Sequence, residues 1–282
     1  MNRILILSVS LALTSAGCAS GGASNSAAGA SGNKAGVKKN WKYGTSSDRG
    51  KEKRWADQVV DSIMVGDAAW LTVGKRKILG IYSGSEAKKI RGGAVIIHGL
   101  GVHPNWGDVI QPLRSKLPEA GWHTLSIQMP ILHNEAKFAD YEPLMDEVAP
   151  RINAAIRYLK GKGVKRIVLI GHSLGAGMGV HYMGGSPDPS VRGVVAIAMN
   201  GQTPKNSPLN FPAALSRIKV PVLDLYGEKD LADVKNTAKT RAQAASGNKG
   251  YKQVQMPGMG HFFRKSPDAL VRAVGKWIGA LP

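Results

Sequence analysis

Ile167-Val168-Leu169-Ile170-Gly171-His172-Ser173-Leu174-Gly175-Ala176-Gly177 is the stretch on which the reading of this 282-residue chain turns. Its first four residues are apolar and mostly β-branched, as in a strand buried on both faces, and they stop at a glycine. Ser173 then stands with Gly171 two places before it and Gly175 two places after. A serine lifted onto a strained turn from strand to helix needs neighbours without side chains at those places, because the backbone folds back on itself there. The run therefore predicts strand, sharp turn and helix, with Ser173 as a nucleophile; the plainer alternative is a structural turn serine. Gly177 and Gly179 continue into the helix, where each costs about 1 kcal/mol against Ala. Close packing of the helix on the strand accounts for them.

Working outward, Arg91-Gly92-Gly93 introduces Ala94-Val95-Ile96-Ile97, a second continuous apolar run, which stops at His98-Gly99-Leu100-Gly101. Val109 to Leu117 has helical spacing and ends at Gly121; Trp122 to Ile127 is the next strand, closed by Gln128-Met129-Pro130. From Tyr141, positions Leu144, Met145, Val148, Ile152, Ala155, Ile156 and Leu159 follow a helical period, with Pro150 starting or kinking the helix. Further upstream, Val59 to Val73 and Lys77 to Tyr82 predict two or three short strands that begin the sheet antiparallel.

Downstream, the pattern predicts strands at Gly193 to Met199, Val220 to Tyr226 and Tyr251 to Met256. Helices are predicted at Phe211 to Ile218, Asp233 to Ala245 and Pro267 to Leu281. This alternation predicts an α/β fold, a mostly parallel doubly wound sheet covered on both faces. The intervals Ile131 to Ala139 and Asn200 to Asn210 lack the sustained apolar face of a buried lid, so little or no cap domain and an open or shallow cleft are expected.

A serine hydroxyl is a poor nucleophile until a histidine takes its proton and a carboxylate fixes and balances that histidine. After Ser173 the only histidines are His181 and His261. His181 falls in the helix just past the turn, too local to fold back, whereas His261 lies in Met256-Pro257-Gly258-Met259-Gly260-His261, read as a loop before the terminal helix. Asp230, in the turn after a strand's carboxyl end, is the candidate acid, and Asp224 inside that strand is the other. Glu228 and Asp233 flank the site and are expected to face solvent or cap a helix. Two backbone amides are expected to form the oxyanion hole, those of Leu174 and Leu100, with His98 ordering the loop. His103, Trp106 and His172 are candidate cleft residues. His103, His123, His133 and His172 show no metal-ligand spacing, and the site calls for neither a metal nor another cofactor.

From about residue 59 to the end the chain resembles an α/β-hydrolase. Within that superfamily the text Ala94 to Gly99, His103-Pro104-Asn105-Trp106, Trp122 to Pro130 and Gly171 to Gly175 resembles a group of exported bacterial hydrolase-like proteins classed as a domain of unknown function. The resemblance implies the Ser, acid, His chain order. It implies no substrate.

The amino terminus reads as an address. Asn2-Arg3 precedes an apolar or small stretch from Ile4 to Ala16, too short to span a bilayer, and the only cysteine, Cys18, follows Leu13-Thr14-Ser15-Ala16-Gly17. This resembles a lipoprotein signal over residues 1–17, with Cys18 lipidated. Ser15 departs from that pattern, and ordinary cleavage near Ala16 to Ala19 is the alternative. Residues 18–40 are a Gly/Ala/Ser-rich linker, and the α/β-hydrolase domain is expected over 55–282. An exported, lipid-anchored protein of the cell envelope follows, facing the periplasm if the cell has two membranes; a soluble periplasmic or secreted protein is the other outcome. One cysteine cannot form an intrachain disulfide.

Thirty-eight Lys and Arg against nineteen Asp and Glu give a formal charge of +19. Attraction to an anionic envelope surface is one reading and ordinary solvated lysines the other; no motif with interleaved stacking aromatics points to nucleic acid. The expected activity is hydrolysis of an ester or acylated substrate through an acyl-enzyme. Amide or peptide cleavage, cofactor-free perhydrolysis, or a non-catalytic envelope binding protein on the same fold are the alternatives.

Overall fold

Each continuous apolar run becomes a strand of one sheet in the computed structural model, which describes residues 41–201 and 206–282. The elements run α1 (Arg49–Val60), β1 (Asp67–Val73), β2 (Arg76–Ser83), β3 (Gly92–Ile97), α2 (Ile110–Lys116), β4 (Trp122–Ile127), α3 (Val148–Gly161), β5 (Ile167–His172) and α4 (Leu174–Met183). They continue with β6 (Val191–Ile197), α5 (Phe211–Leu215), β7 (Val222–Lys229), α6 (Ala232–Asn236), α7 (Ala238–Ala244), β8 (Tyr251–Gly260) and α8 (Pro267–Gly279). The strands form an eight-stranded sheet in the order β1-β2-β4-β3-β5-β6-β7-β8. β1–β2 and β2–β4 pair antiparallel, and all later pairs are parallel.

β3 and β5 are buried at every position, which is why both read as unbroken apolar runs rather than alternating ones. Helices cover both faces. One core cluster joins α3, α4 and α5 to the sheet, and the other joins α2 and α8 to its opposite face. The terminal helix shows how: Leu270, Val274 and Ile278, four apart, are its buried stripe. The chain leaves β3 for β4 on one side and later returns to place β5 on the other. That reversal opens a crevice past the carboxyl ends of β3 and β5, where open α/β sheets hold their ligands.

The amino-terminal part departs from expectation. Val59 and Val60 end a helix, not a strand, and a boundary at 55 would cut α1 in two. Two of the four buried residues of α1 are the charged Lys51 and Glu52. Lys51 donates its ammonium to the Leu132 carbonyl at 2.8 Å and to Asn134 Oδ1 at 2.7 Å. Glu52 accepts from the fully buried Arg151 at 2.8 Å. Arg151 also reaches Glu147 at 2.6 Å and Ser47 Oγ at 3.0 Å, so α1 is docked by buried polar pairs as well as by Ala56 and Val59.

Three further details differ. β8 runs to Gly260, so most of the stretch read as a loop before His261 is strand. The helix expected from Asp233 to Ala245 is broken into α6 and α7 at Thr237, whose hydroxyl donates to the Asp233 carbonyl at 2.5 Å. Pro150 lies in the first turn of α3, where its missing N–H costs nothing. Among the described residues no helix is inserted between β6 and α5, and none is long and apolar enough to cross a membrane. The leader at 1–17, Cys18 and the 18–40 linker lie outside the described residues.

Candidate active site

The parallel pairing of β7 with β8 sets Lys229 opposite Gly260. Asp230 and His261 are the next residues on the two strands, so the ladder itself delivers a carboxylate beside an imidazole. His261 Nδ1 lies 2.6 Å from Asp230 Oδ1, and its Nε2 lies 3.1 Å from Ser173 Oγ. Asp230 is held in turn by the Leu231 amide at 2.8 Å and the Gly227 amide at 3.1 Å. Burial alone would raise its carboxyl, but the His261 hydrogen bond and these amides outweigh burial and hold it below the usual carboxylate range.

Ser173 follows β5 directly and adopts φ 56° and ψ −123°, outside the regions open to an ordinary side chain. Its amide donates to the Ile197 carbonyl of β6 at 2.8 Å, which fixes the turn. The flanking glycines are required sterically. A Cβ on Gly175 would press on the carbonyls of Ile97 and His98, and one on Gly171 would meet the Ala176 backbone at 2.6 Å. Gly177 lets the Phe211 ring of α5 lie against α4. The close approach at Gly177 is thus to a neighbouring helix and not to the strand, and at Gly179 a Cβ would meet only Ile97 Cδ1 at 3.5 Å, so close packing on the strand does not account for either glycine.

The loop after β3 forms the opposite wall. His98 is buried, and burial lowers its pKa to about 3, so the ring is neutral. Its Nε2 accepts from the Met129 amide at 2.9 Å, which assigns the proton to Nδ1 and makes it donate to the Gly99 carbonyl at 2.9 Å. The ring thus ties the loop to the segment after β4. Gly99 sits so close to Ser173 that a Cβ there would approach the serine Cβ to 3.2 Å. Leu100 lines the cleft, and Leu174 is the first residue of α4, with its amide at the helix's open amino end.

Around Ser173 lies a cavity of about 330 Å³. Trp106 and His172 line it as expected, whereas His103 does not. His103 stands behind the wall, edge-on to Trp106 at 5.8 Å and to Trp55 at 5.5 Å. His172 is buried, with its pKa lowered to about 4 by desolvation and by the neighbouring His261, and its Nε2 donates to the His261 carbonyl at 3.0 Å. Phe138, Leu231, Val234 and Phe262 add apolar lining that sequence reading did not single out, although Leu231 and Phe262 each follow a site residue directly. Asp233, expected to face solvent or cap a helix, is exposed and in the first turn of α6, yet it also lines this cleft. Glu228 accepts from the Gly258 amide at 2.6 Å.

Asp224 is elsewhere. It is fully buried and accepts from Arg241 Nε at 2.7 Å, the Tyr251 hydroxyl at 2.7 Å and Gln253 Nε2 at 2.9 Å. Its place is in the framework under α7, not beside His261. Among the described residues no cluster of His, Cys, Asp and Glu is arranged to hold a metal.

The architecture is similar to that of known hydrolases. Est1E from Butyrivibrio proteoclasticus aligns with TM-score 0.58 at 17% identity, over 75% of this chain and 97% of its own. The Pyrococcus furiosus esterase Pf2001 aligns with TM-score 0.61 at 14% identity, over 76% and 92%. Dienelactone hydrolase from Anabaena variabilis aligns with TM-score 0.59 at 19% identity, over 76% and 96%. At such identities the likeness shows the α/β-hydrolase fold. No curated protein matches the chain. The family described as "Protein of unknown function (DUF3530)" matches residues 2–143 and 134–279, and this chain, with its α/β-hydrolase fold, belongs to that family.

Proposed function

We propose that the protein is a serine hydrolase that cleaves an ester through an acyl-enzyme. The observation that carries this is the unbroken line from Asp230 through His261 to Ser173, with contacts of 2.6 Å and 3.1 Å, ending on a serine held at positive φ. In the reaction Ser173 Oγ attacks the ester carbonyl carbon while His261 Nε2 takes the hydroxyl proton. The carbonyl oxygen becomes an oxyanion facing the Leu174 and Leu100 amides. As the C–O bond to the alcohol breaks, His261 returns that proton to the leaving oxygen. Water then repeats the attack, releasing the acid and restoring the serine. Asp230 holds His261 in the required tautomer and stabilises its charged form.

The ester is favoured by the apolar lining from Leu100, Trp106, Phe138 and Phe262, and by names among the structural neighbours: Est1E, described with ferulic acid bound, and Pf2001, an esterase. Leu231 and Phe262 are 56% and 36% exposed at the cleft, so a substrate larger than the cavity can lie partly outside it. The sequence of the amino-terminal leader and Cys18 supports a location at the cell envelope, on a lipid anchor. A fluorophosphonate probe tests the reading together with short p-nitrophenyl esters. Labelling at Ser173 that disappears on heating, with matching ester turnover, is the expected result. A Ser173→Ala protein that keeps half the rate, or native protein that never labels, overturns it.

A further inference from the structure

A second concavity among the described residues lies away from Ser173. Between α1 and the β1–β2 hairpin is a groove of about 420 Å³, with Gln128 among its lining residues. Its apolar part is Ala56, Leu79 and the indole of Trp70, which is 48% exposed although it sits on a strand. Four cations stand around it: Arg49, Lys53, Arg76 and Lys77. Lys53 is paired with Asp57 at 2.7 Å, and Arg76 with Glu52 at 3.3 Å. Arg49 and Lys77 make no such pair among the described residues, and both are exposed. Gln128 is 1% exposed. Its Nε2 donates to the Met129 carbonyl at 2.8 Å, but its Oε1 has no hydrogen-bond partner.

We infer that this groove binds an acidic saccharide, a sugar ring bearing a carboxylate, as one unit of a longer chain. An exposed indole beside aliphatic side chains accepts the C–H face of a pyranose ring, a flat and weakly polar surface. The acidic substituent meets the uncommitted charges of Arg49 and Lys77. Glu52 already accepts from Arg151 and Arg76, and Asp57 from Lys53, so the uncommitted charge of the groove is positive, and ring hydroxyls can accept from the cationic side chains at its rim. A purely apolar ligand would leave Arg49 and Lys77 unserved, and a polyphosphate would offer no C–H face to the Trp70 indole. β1 is the edge strand of the sheet, so the groove opens sideways and a polymer can pass through it. The site is independent of the chemistry at Ser173.

The test is calorimetric titration of the full chain with a galacturonate tetrasaccharide, alongside a neutral tetrasaccharide, a poly-glutamate of equal charge and a single-stranded oligonucleotide. Saturable binding of one galacturonate chain per protein is expected. Trp70→Ala, and separately the Arg49→Ala/Lys77→Ala pair, should each weaken it by about tenfold, equivalent to about 1.4 kcal/mol. All three side chains are exposed, and unchanged melting curves would show the variants folded. Ser173→Ala should bind as the native protein does. The inference is overturned by absent binding or by equal affinity for any of the three comparison ligands. It is equally overturned by variants that bind unchanged, or by loss of binding in Ser173→Ala, which would move the ligand to the catalytic cleft.

Discussion

Ser173, His261 and Asp230 act as a unit if the proposed chemistry is right, so their losses should not add. Ser173→Ala or His261→Ala should each lower kcat by about a million-fold. Asp230→Asn should cost about ten-thousand-fold, because an amide in that place favours the wrong imidazole tautomer. All three should melt near the native temperature. Asp224→Asn should show the opposite pattern. It weakens a buried pair with Arg241 and should lower unfolding free energy by about 3 kcal/mol while leaving kcat within a small factor. Ester turnover measured beside a urea titration separates the two carboxylates, and a kcat collapse in Asp224→Asn would reassign the acid. The serine and the histidine are legible in sequence because glycine spacing and chain order are local, one-dimensional signals. The cleft wall is not: Phe262 and Leu231 look like ordinary apolar residues until the ladder places them at the mouth, and His103 resembles a lining residue until Trp106 is seen to stand in front of it.

Among the elements, β3, β5 and α8 could be read directly, since burial on two faces or one stripe dictates composition. α1 could not. Its sequence Arg-Gly-Lys-Glu-Lys-Arg-Trp-Ala-Asp-Gln-Val-Val looks like a solvated charge run, and its docking depends on partners about 100 residues away, Arg151 and Glu147. The one local clue was Asp48, whose side chain caps the helix by accepting from the Lys51 amide at 2.9 Å. Glu147 is the pivot of this docking. Burial raises its carboxyl, yet the Ser47 amide and Arg151 outweigh that and bring it down to about 2. A folded-state value below the ordinary 4.5 means that the stabilisation is present above pH 4.5 and fades as pH falls toward 2. Glu147→Gln should therefore lose about 3 kcal/mol at pH 7 and much less at pH 2.5. Denaturant titrations at the two pH values check this; an equal loss at both would mean that the charge plays no part in docking α1.

For the whole molecule, two buried histidines set the acid limit before Glu147 does. His98 and His172 have folded-state values of about 3 and about 4, below the ordinary 6.5. The unfolded chain therefore takes up their protons first, and stability should begin to fall as pH drops below 6.5. The slope is about 1.4 kcal/mol per pH unit for each histidine, with the His172 part levelling off near pH 4. Thermal melts across this range, repeated on His172→Gln, should show a shallower slope in the variant, since burial also lowers His103, His123 and His181 and their part remains. A native profile flat from pH 7 to 4 would contradict the buried, neutral state. Location is tested on the intact protein in cells: Cys18→Ser should move it from the membrane fraction to the soluble one. If the native protein leaves the membrane in a high-salt wash, its retention is by screened surface charge and not by a lipid.

The positive φ of Ser173 is kept by the protein's own contacts, the Ile197 carbonyl and the glycines on either side. A backbone held in such a region costs about 1–3 kcal/mol, and here folding has already met that cost. In the proposed reaction the serine is therefore armed at rest. Its progress curves should begin at full slope with no lag at any substrate concentration, and an irreversible titrant should consume one equivalent per chain without a slow phase. A lag that lengthens as substrate is diluted would instead mean that the reactive conformation is assembled anew at each encounter.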